Sequence, residues 1–224
     1  PVPGQPTGLA LSPDGNRLFV TCSNERDWFC IIDGRSREIL TISQAGRGAR
    51  SPVIGEAGKR IYICNQLESS LSMFDGETGK ELKQLVIDRE PFAAALTKDG
   101  SSLYIAHRLP SGPSNAETVA ASISVVNAVD MKIEKTIPLP NGSTGVNDLC
   151  FSPDGRYVFV VHLLAHYQLP TTQIDKGWMN TNVMSILDTQ TGELRKTILL
   201  DDINRGAANP WKVLCTPDGK QLCI

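Results

Sequence analysis

Ser152-Pro153-Asp154-Gly155-Arg156-Tyr157-Val158-Phe159-Val160-Val161-His162 reads as a tight turn followed at once by a strand. Proline fixes φ, the Asx side chain binds its own backbone, and glycine takes the left-handed position. The β-branched and aromatic run behind them has no helical period. The unit returns at Ser12-Pro13-Asp14-Gly15, Gly55-Glu56-Ala57-Gly58, Thr97-Lys98-Asp99-Gly100 and Thr216-Pro217-Asp218-Gly219, with glycine spacings of 43, 42, 55 and 64. Four residues past each glycine stand Phe19, Tyr62, Tyr104, Phe159 and Cys223. A self-similar period of this length, with strand residues at fixed offsets, predicts an all-β chain: a β-propeller of four-stranded antiparallel blades.

Working outward, each copy divides into strands A to D, and strand C ends on Asp33, Asp75, Asn127 or Asp188. The expected blades cover 6–43, 49–88, 91–139 and 146–200, with a partial fifth over 210–224, all within one propeller domain. The fifth copy stops at Gln221-Leu222-Cys223-Ile224, partway along its strand B. Closed propellers avoid such a raw edge, so the expectation is a piece of a longer protein.

The 22 Lys plus Arg against 24 Asp plus Glu carry no basic stripe, which argues against nucleic acid or anionic lipid as the main partner. No apolar run approaches the ~20 residues of a membrane span. The start, Pro1-Val2-Pro3-Gly4, has neither the charge nor the apolar core of a signal peptide, and a processed start reads the same way. Six cysteines form no Cys-x-x-Cys, so the chain itself offers no zinc ribbon and no covalent haem attachment. Cys22 and Cys30 flank a short loop on strands expected to pair, where a cross-strand disulfide and two buried thiols are both open readings.

From turn glycine to the Asx of strand C is 18 residues in blade one, 17 in blade two, 27 in blade three and 33 in blade four. The extra residues are therefore assigned to the B–C loops over 108–122 and 163–182, with a further elaboration at 201–209 between blades four and five. B–C and D–A connections leave antiparallel sheets at the same end, so this rim is the expected working face. The candidate binding residues are His162, His166, Tyr167, Gln168, Gln173, Asp175, Trp178, Asn180, Asn182, Asn209 and Trp211. A loop this long must offset its ordering entropy, so Trp178 is expected buried and Asn180 and Asn182 bonded to backbone. A lid that only packs on the next blade is the competing reading. His162 and His166 are a weak metal pair, since their spacing of four suits a helix and His162 ends a strand. Arg50, Arg89, Asn147, Asp148, Asn209 and Lys212 fall at the starts of inner strands, as ligand groups or as ordinary polar filling. No nucleophile elbow or phosphate-cradling loop is present.

Phe19-Val20-Thr21-Cys22, Tyr62-Ile63-Cys64-Asn65, Tyr104-Ile105-Ala106-His107 and Phe159-Val160-Val161-His162 resemble the Tyr-Val-Thr-Asn (YVTN) repeat of cell-envelope propellers. Three copies depart from it, with Cys22, His107 and His162 in place of asparagine. The stretches 162–173, 177–182 and 206–211 resemble a YVTN subgroup joined to c-type cytochrome or cytochrome-c-peroxidase-like modules. The resemblance implies a ring of usually seven blades and a periplasmic or cell-surface location. It also implies a protein partner or fused redox domain, with any haem c in a further region or a partner and no cofactor in this chain. The leading expectation is a noncatalytic interaction module. The alternative is an enzyme, either a lactonase-like hydrolase or a component of a cytochrome-dependent oxidoreductase, with its site on the loop-rich rim.

Overall fold

Short β-branched runs bounded by turns leave little choice but strands, and the computed structural model, which describes residues 1–166, 179–202 and 209–224, is built of them. β1 (Gln5–Leu11), β2 (Arg17–Ser23), β3 (Trp28–Asp33) and β4 (Ile39–Gln44) form one sheet in chain order. β5 (Ala49–Gly55), β6 (Arg60–Asn65), β7 (Ser70–Asp75) and β8 (Glu81–Val86) form the second. β9 (Pro91–Leu96), β10 (Ser102–His107), β11 (Ser122–Asn127) and β12 (Lys132–Pro138) form the third. The fourth holds β13 (Ser143–Phe151), β14 (Tyr157–Ala165), β15 (Asn180–Asp188) and β16 (Glu193–Leu199). A two-stranded start of a fifth pairs β17 (Leu214–Cys215) with β18 (Leu222–Cys223). Among the described residues the helices are single 3-10 turns, Glu56–Gly58 and Gln66–Glu68.

The repeat is written in hydrogen bonds. In the first turn, Asp14 Oδ1 accepts from Ser12 Oγ (2.6 Å) and Asn16 N (3.1 Å), while Ser12 Oγ accepts from Arg17 N (2.8 Å). The Ser12 hydroxyl first, then Asn16, hold the Asp14 carboxyl down at about 2. Thr97–Asp99, Ser152–Asp154 and Thr216–Asp218 repeat the pair. Blade two, lacking Pro-Asp, makes the turn with Glu56 and Ala57 at positive φ (45° and 54°). In every full blade the residue after the strand-C Asx donates its N–H to the residue after the turn glycine. These bonds are Gly34 to Asn16 (2.8 Å), Gly76 to Lys59 (2.8 Å), Ala128 to Ser101 (2.9 Å) and Thr189 to Arg156 (2.9 Å).

The chain divides into two compact units, residues 1–105 with 126–134, and residues 106–125 with 135–224. In the first unit, Phe19, Phe29 and Ile31 of blade one meet Ile61, Ile63 and Phe74 of blade two, all six wholly buried. Each such side chain contributes about 2–3 kcal/mol of burial. Tyr62 turns to the other side of blade two, packs with Leu103 and Ile105, and donates its hydroxyl to Ala128 O (2.8 Å). Phe19 and Tyr62 therefore each face the following blade, as their identical offset from the turn glycine requires. In the second unit Phe159 and Val161 join Met184, Val213 and Leu222.

Cys22 and Cys30 are buried free thiols, not a disulfide. The register opposes Cys22 to Trp28 and Val20 to Cys30, so the two cysteines stand diagonally rather than face to face. Cys64 is likewise buried, whereas Cys223 is exposed.

Candidate functional site

The blade-four rim is partly strand where a loop over 163–182 is expected. β14 and β15 run nine residues each, against six for β6 and β7, and their pairing continues through Leu163 with Asn182, Leu164 with Thr181 and Ala165 with Asn180. Asn and Ala are poor strand formers, so Leu-Leu-Ala and Asn-Thr-Asn extend the hairpin by pairing with each other. His166 closes it, its N–H donating to Met179 O (3.0 Å) and its Nε2 lying 2.7 Å from Thr181 Oγ1. Met179 (58%) and Asn180 are exposed.

Asn182 bonds a carboxylate. Its N–H donates to Asp201 Oδ2 (2.7 Å) and its Nδ2 to Asp201 Oδ1 (2.9 Å), while Leu200 N donates to Asn182 O (2.8 Å). Asp201 thus brings two acceptors to the hairpin edge at Asn182. Tyr167, Gln168, Gln173, Asp175 and Trp178, and with them the expected burial of Trp178, lie outside the described residues.

His162 is not a surface ligand. It is wholly buried, with Nδ1 3.0 Å from Leu163 O and Nε2 2.8 Å from Ser185 Oγ. A carbonyl only accepts, so Nδ1 carries the proton and Nε2 accepts from the serine. Burial holds the imidazole neutral by depressing its pKa to about 4. Four residues along an extended chain span about 13 Å, so His162 and His166 do not share one ion. His107 Nε2 stands likewise 2.7 Å from Ser124 Oγ, and Asn65 Nδ2 donates to Ser72 Oγ (2.7 Å) at the same two positions. Cys22 and Cys30 hold the same two positions in blade one. The pairing was readable in the sequence. Seven residues past the turn glycine stands Cys22, Asn65, His107 or His162, and three before the strand-C Asx stands Cys30, Ser72, Ser124 or Ser185.

The inner-strand residues mostly staple one blade to the next. Thr7 Oγ1 donates to Ala49 O (2.6 Å) and Ser51 Oγ to Phe92 O (2.9 Å). Asn147 Nδ2 donates to Pro210 O (2.9 Å), and Asp148 accepts from Val213 N (3.1 Å) and Lys212 Nζ (3.1 Å). Arg50 lies over the Phe92 ring, 4.0 Å from its centroid, and Arg89 N donates to Asp88 Oδ1 (2.8 Å). Asn209 is exposed, and so is Trp211, at 55%. Among the described residues, the predicted site residues that are exposed are Asn180, Asn209 and Trp211, with Met179 added by the structure. Among the described residues no three His, Cys, Asp or Glu side chains are grouped as for a metal ion, and no helix is long and apolar enough to cross a membrane.

No known protein family profile matches the chain. It is 27% identical over 120 residues to hydrazine synthase subunit beta of Kuenenia stuttgartiensis, covering 49% of this chain and 31% of that protein. It is 27% identical over 175 residues to antigen Lp49 of Leptospira interrogans, covering 73% of this chain and 37% of that protein. The chain therefore spans about a third of the length of these relatives. Among solved structures, hydrazine synthase of Kuenenia stuttgartiensis superposes with a TM-score of 0.63 over 97% of this chain and 72% of that one, at 21% identity. The fold is that of a β-propeller.

Proposed function

We propose that this chain is an interaction module of the cell envelope, periplasmic or surface-exposed, that docks a protein partner or a redox domain through the B–C end of blade four. The observation that carries the reading is the extended β14–β15 hairpin, which lifts Met179 and Asn180 into solvent on a rigid ladder. Trp211, an exposed indole, is the kind of residue that anchors protein interfaces. Side chains that would otherwise be polar ligands on the inner strands are already engaged in blade-to-blade bonds, which favours a surface over a pocket. The resemblance of 162–173, 177–182 and 206–211 to the YVTN subgroup with cytochrome modules accords with this use.

A second reading takes the module as a component of an oxidoreductase, and the similarity to a named subunit of hydrazine synthase favours it. The two readings share a surface and differ in the partner. Recovery of the tagged protein from its own cells tests both. A stoichiometric second chain is expected with the native protein, reduced about tenfold, or 1.4 kcal/mol, in a Met179→Ala/Trp211→Ala variant. A haem absorption band travelling with that chain selects the oxidoreductase component. Undiminished recovery from the folded variant contradicts the assignment of the surface.

A further inference from the structure

We propose that Cys150 of β13 and Cys215 of β17 are a dithiol that an external disulfide oxidises to a disulfide bond, tying the first strand of blade five to blade four. Strand pairing turns both side chains toward one layer. Cys150 lies opposite Phe159 and Cys215 opposite Leu222, and residues directly opposite one another share a sheet face. Phe159 and Leu222 pack in the same cluster with Val161, Met184 and Val213, and Cys150 joins it. Cys150 therefore looks forward onto blade five, and Cys215 looks back onto blade four.

The two strands are already held side by side, with Cα atoms within 8 Å of each other. Asn147 Nδ2 donates to Pro210 O (2.9 Å), and Asp148 Oδ2 accepts from Val213 N (3.1 Å). A step of two residues from Asp148 and from Val213 leads to Cys150 and Cys215, back on the same side of each strand. The Cys215 N–H reaches the Cys150 sulfur. A disulfide joins Cα atoms roughly 4.4–6.8 Å apart. β17 is only two residues long, so little ladder resists the closing movement.

Access separates this pair from Cys22 and Cys30. Those two are wholly buried, whereas Cys150 and Cys215 are each half-buried and reach solvent. Burial pushes the Cys150 thiol up to about 11, while the Cys215 N–H draws it down and the Cys215 sulfur adds to the rise. A thiol so raised is a poor initiator, so the first attack falls to Cys215. Its sulfur bonds to one sulfur of the oxidant and releases the other as a thiol. Cys150 then gives up its proton and attacks Cys215 Sγ, and the second thiol leaves. The protein loses two electrons and two protons, and the external disulfide becomes two thiols.

The test uses the whole protein with Cys223→Ser, which removes the exposed thiol, first reduced, then freed of reductant and incubated with oxidised glutathione. Two of its five thiols should then resist iodoacetamide in denaturant until reductant is added, and mass spectrometry should find Cys150 joined to Cys215. Hydrogen exchange at Val213 and Leu214 should slow by about tenfold or more. With Cys150→Ser added, glutathione should stay on Cys215. Five reactive thiols after oxidation, a lasting glutathione adduct while both cysteines are present, or a Cys22–Cys30 bridge in place of this one would each overturn the proposal.

Discussion

His162 Nε2 meets Ser185 Oγ at 2.8 Å across β14 and β15, in the position where Asn65 meets Ser72 at 2.7 Å across β6 and β7. One structural slot thus accepts imidazole or amide without loss of the blade. The histidine version carries a pH liability that the asparagine version does not.

The folded pKa of His162 lies at about 4, against 6.5 unperturbed, so between those values the unfolded chain binds a proton that the folded chain refuses. Stability is therefore complete above pH 6.5, falls as pH is lowered through the window, and levels off below 4, a loss of about 3 kcal/mol. His162→Asn should keep the fold and remove that part of the slope. Urea unfolding at pH 7 and pH 4.5 measures it, and an unchanged pH dependence in the variant contradicts the buried neutral imidazole.

Burial pushes the Cys30 and Cys64 thiols up to about 12, and Cys150 up to about 11. Only a thiolate alkylates readily, so at pH 8 iodoacetamide should label exposed Cys223 first and leave Cys22, Cys30 and Cys64 untouched. All should label after unfolding without reductant. Protection of Cys22 and Cys30 that persists in the unfolded chain would reveal a disulfide instead.

Asn147→Ala removes the donor to Pro210 O at a buried site, at a cost of about 1–3 kcal/mol. The loss should be local to the start of blade five. Hydrogen exchange at Val213 and Cys215 should accelerate while β14 and β15 stay protected. Uniform acceleration throughout blade four would mean that Asn147 does not act as a staple.

The offsets from each turn glycine carried most of the fold. They placed strand B, the Asx that ends strand C, and the shared facing of Phe19 and Tyr62, because turn chemistry and alternation are local. The site was less legible. Counting residues located an insertion between His162 and Asn182 but did not divide it into ladder and loop, since Leu163 to Ala165 and Asn180 to Asn182 become strand only by pairing with each other. His162 was misassigned to the rim because its partner Ser185 lies 23 residues away. The aligned serines at positions 72, 124 and 185 were the available signal.

The proposed docking surface is the B–C end of blade four. Asn180 stands at that end and Asp154 at the opposite end of the same sheet, about 26 Å apart along eight residues of strand. A photoreactive amino acid placed at each position in turn, in the native cells, compares the two ends of one blade. A single discrete cross-linked chain is expected from position 180 and none from position 154. Cross-linking from position 154 alone, or equally from both, would contradict it.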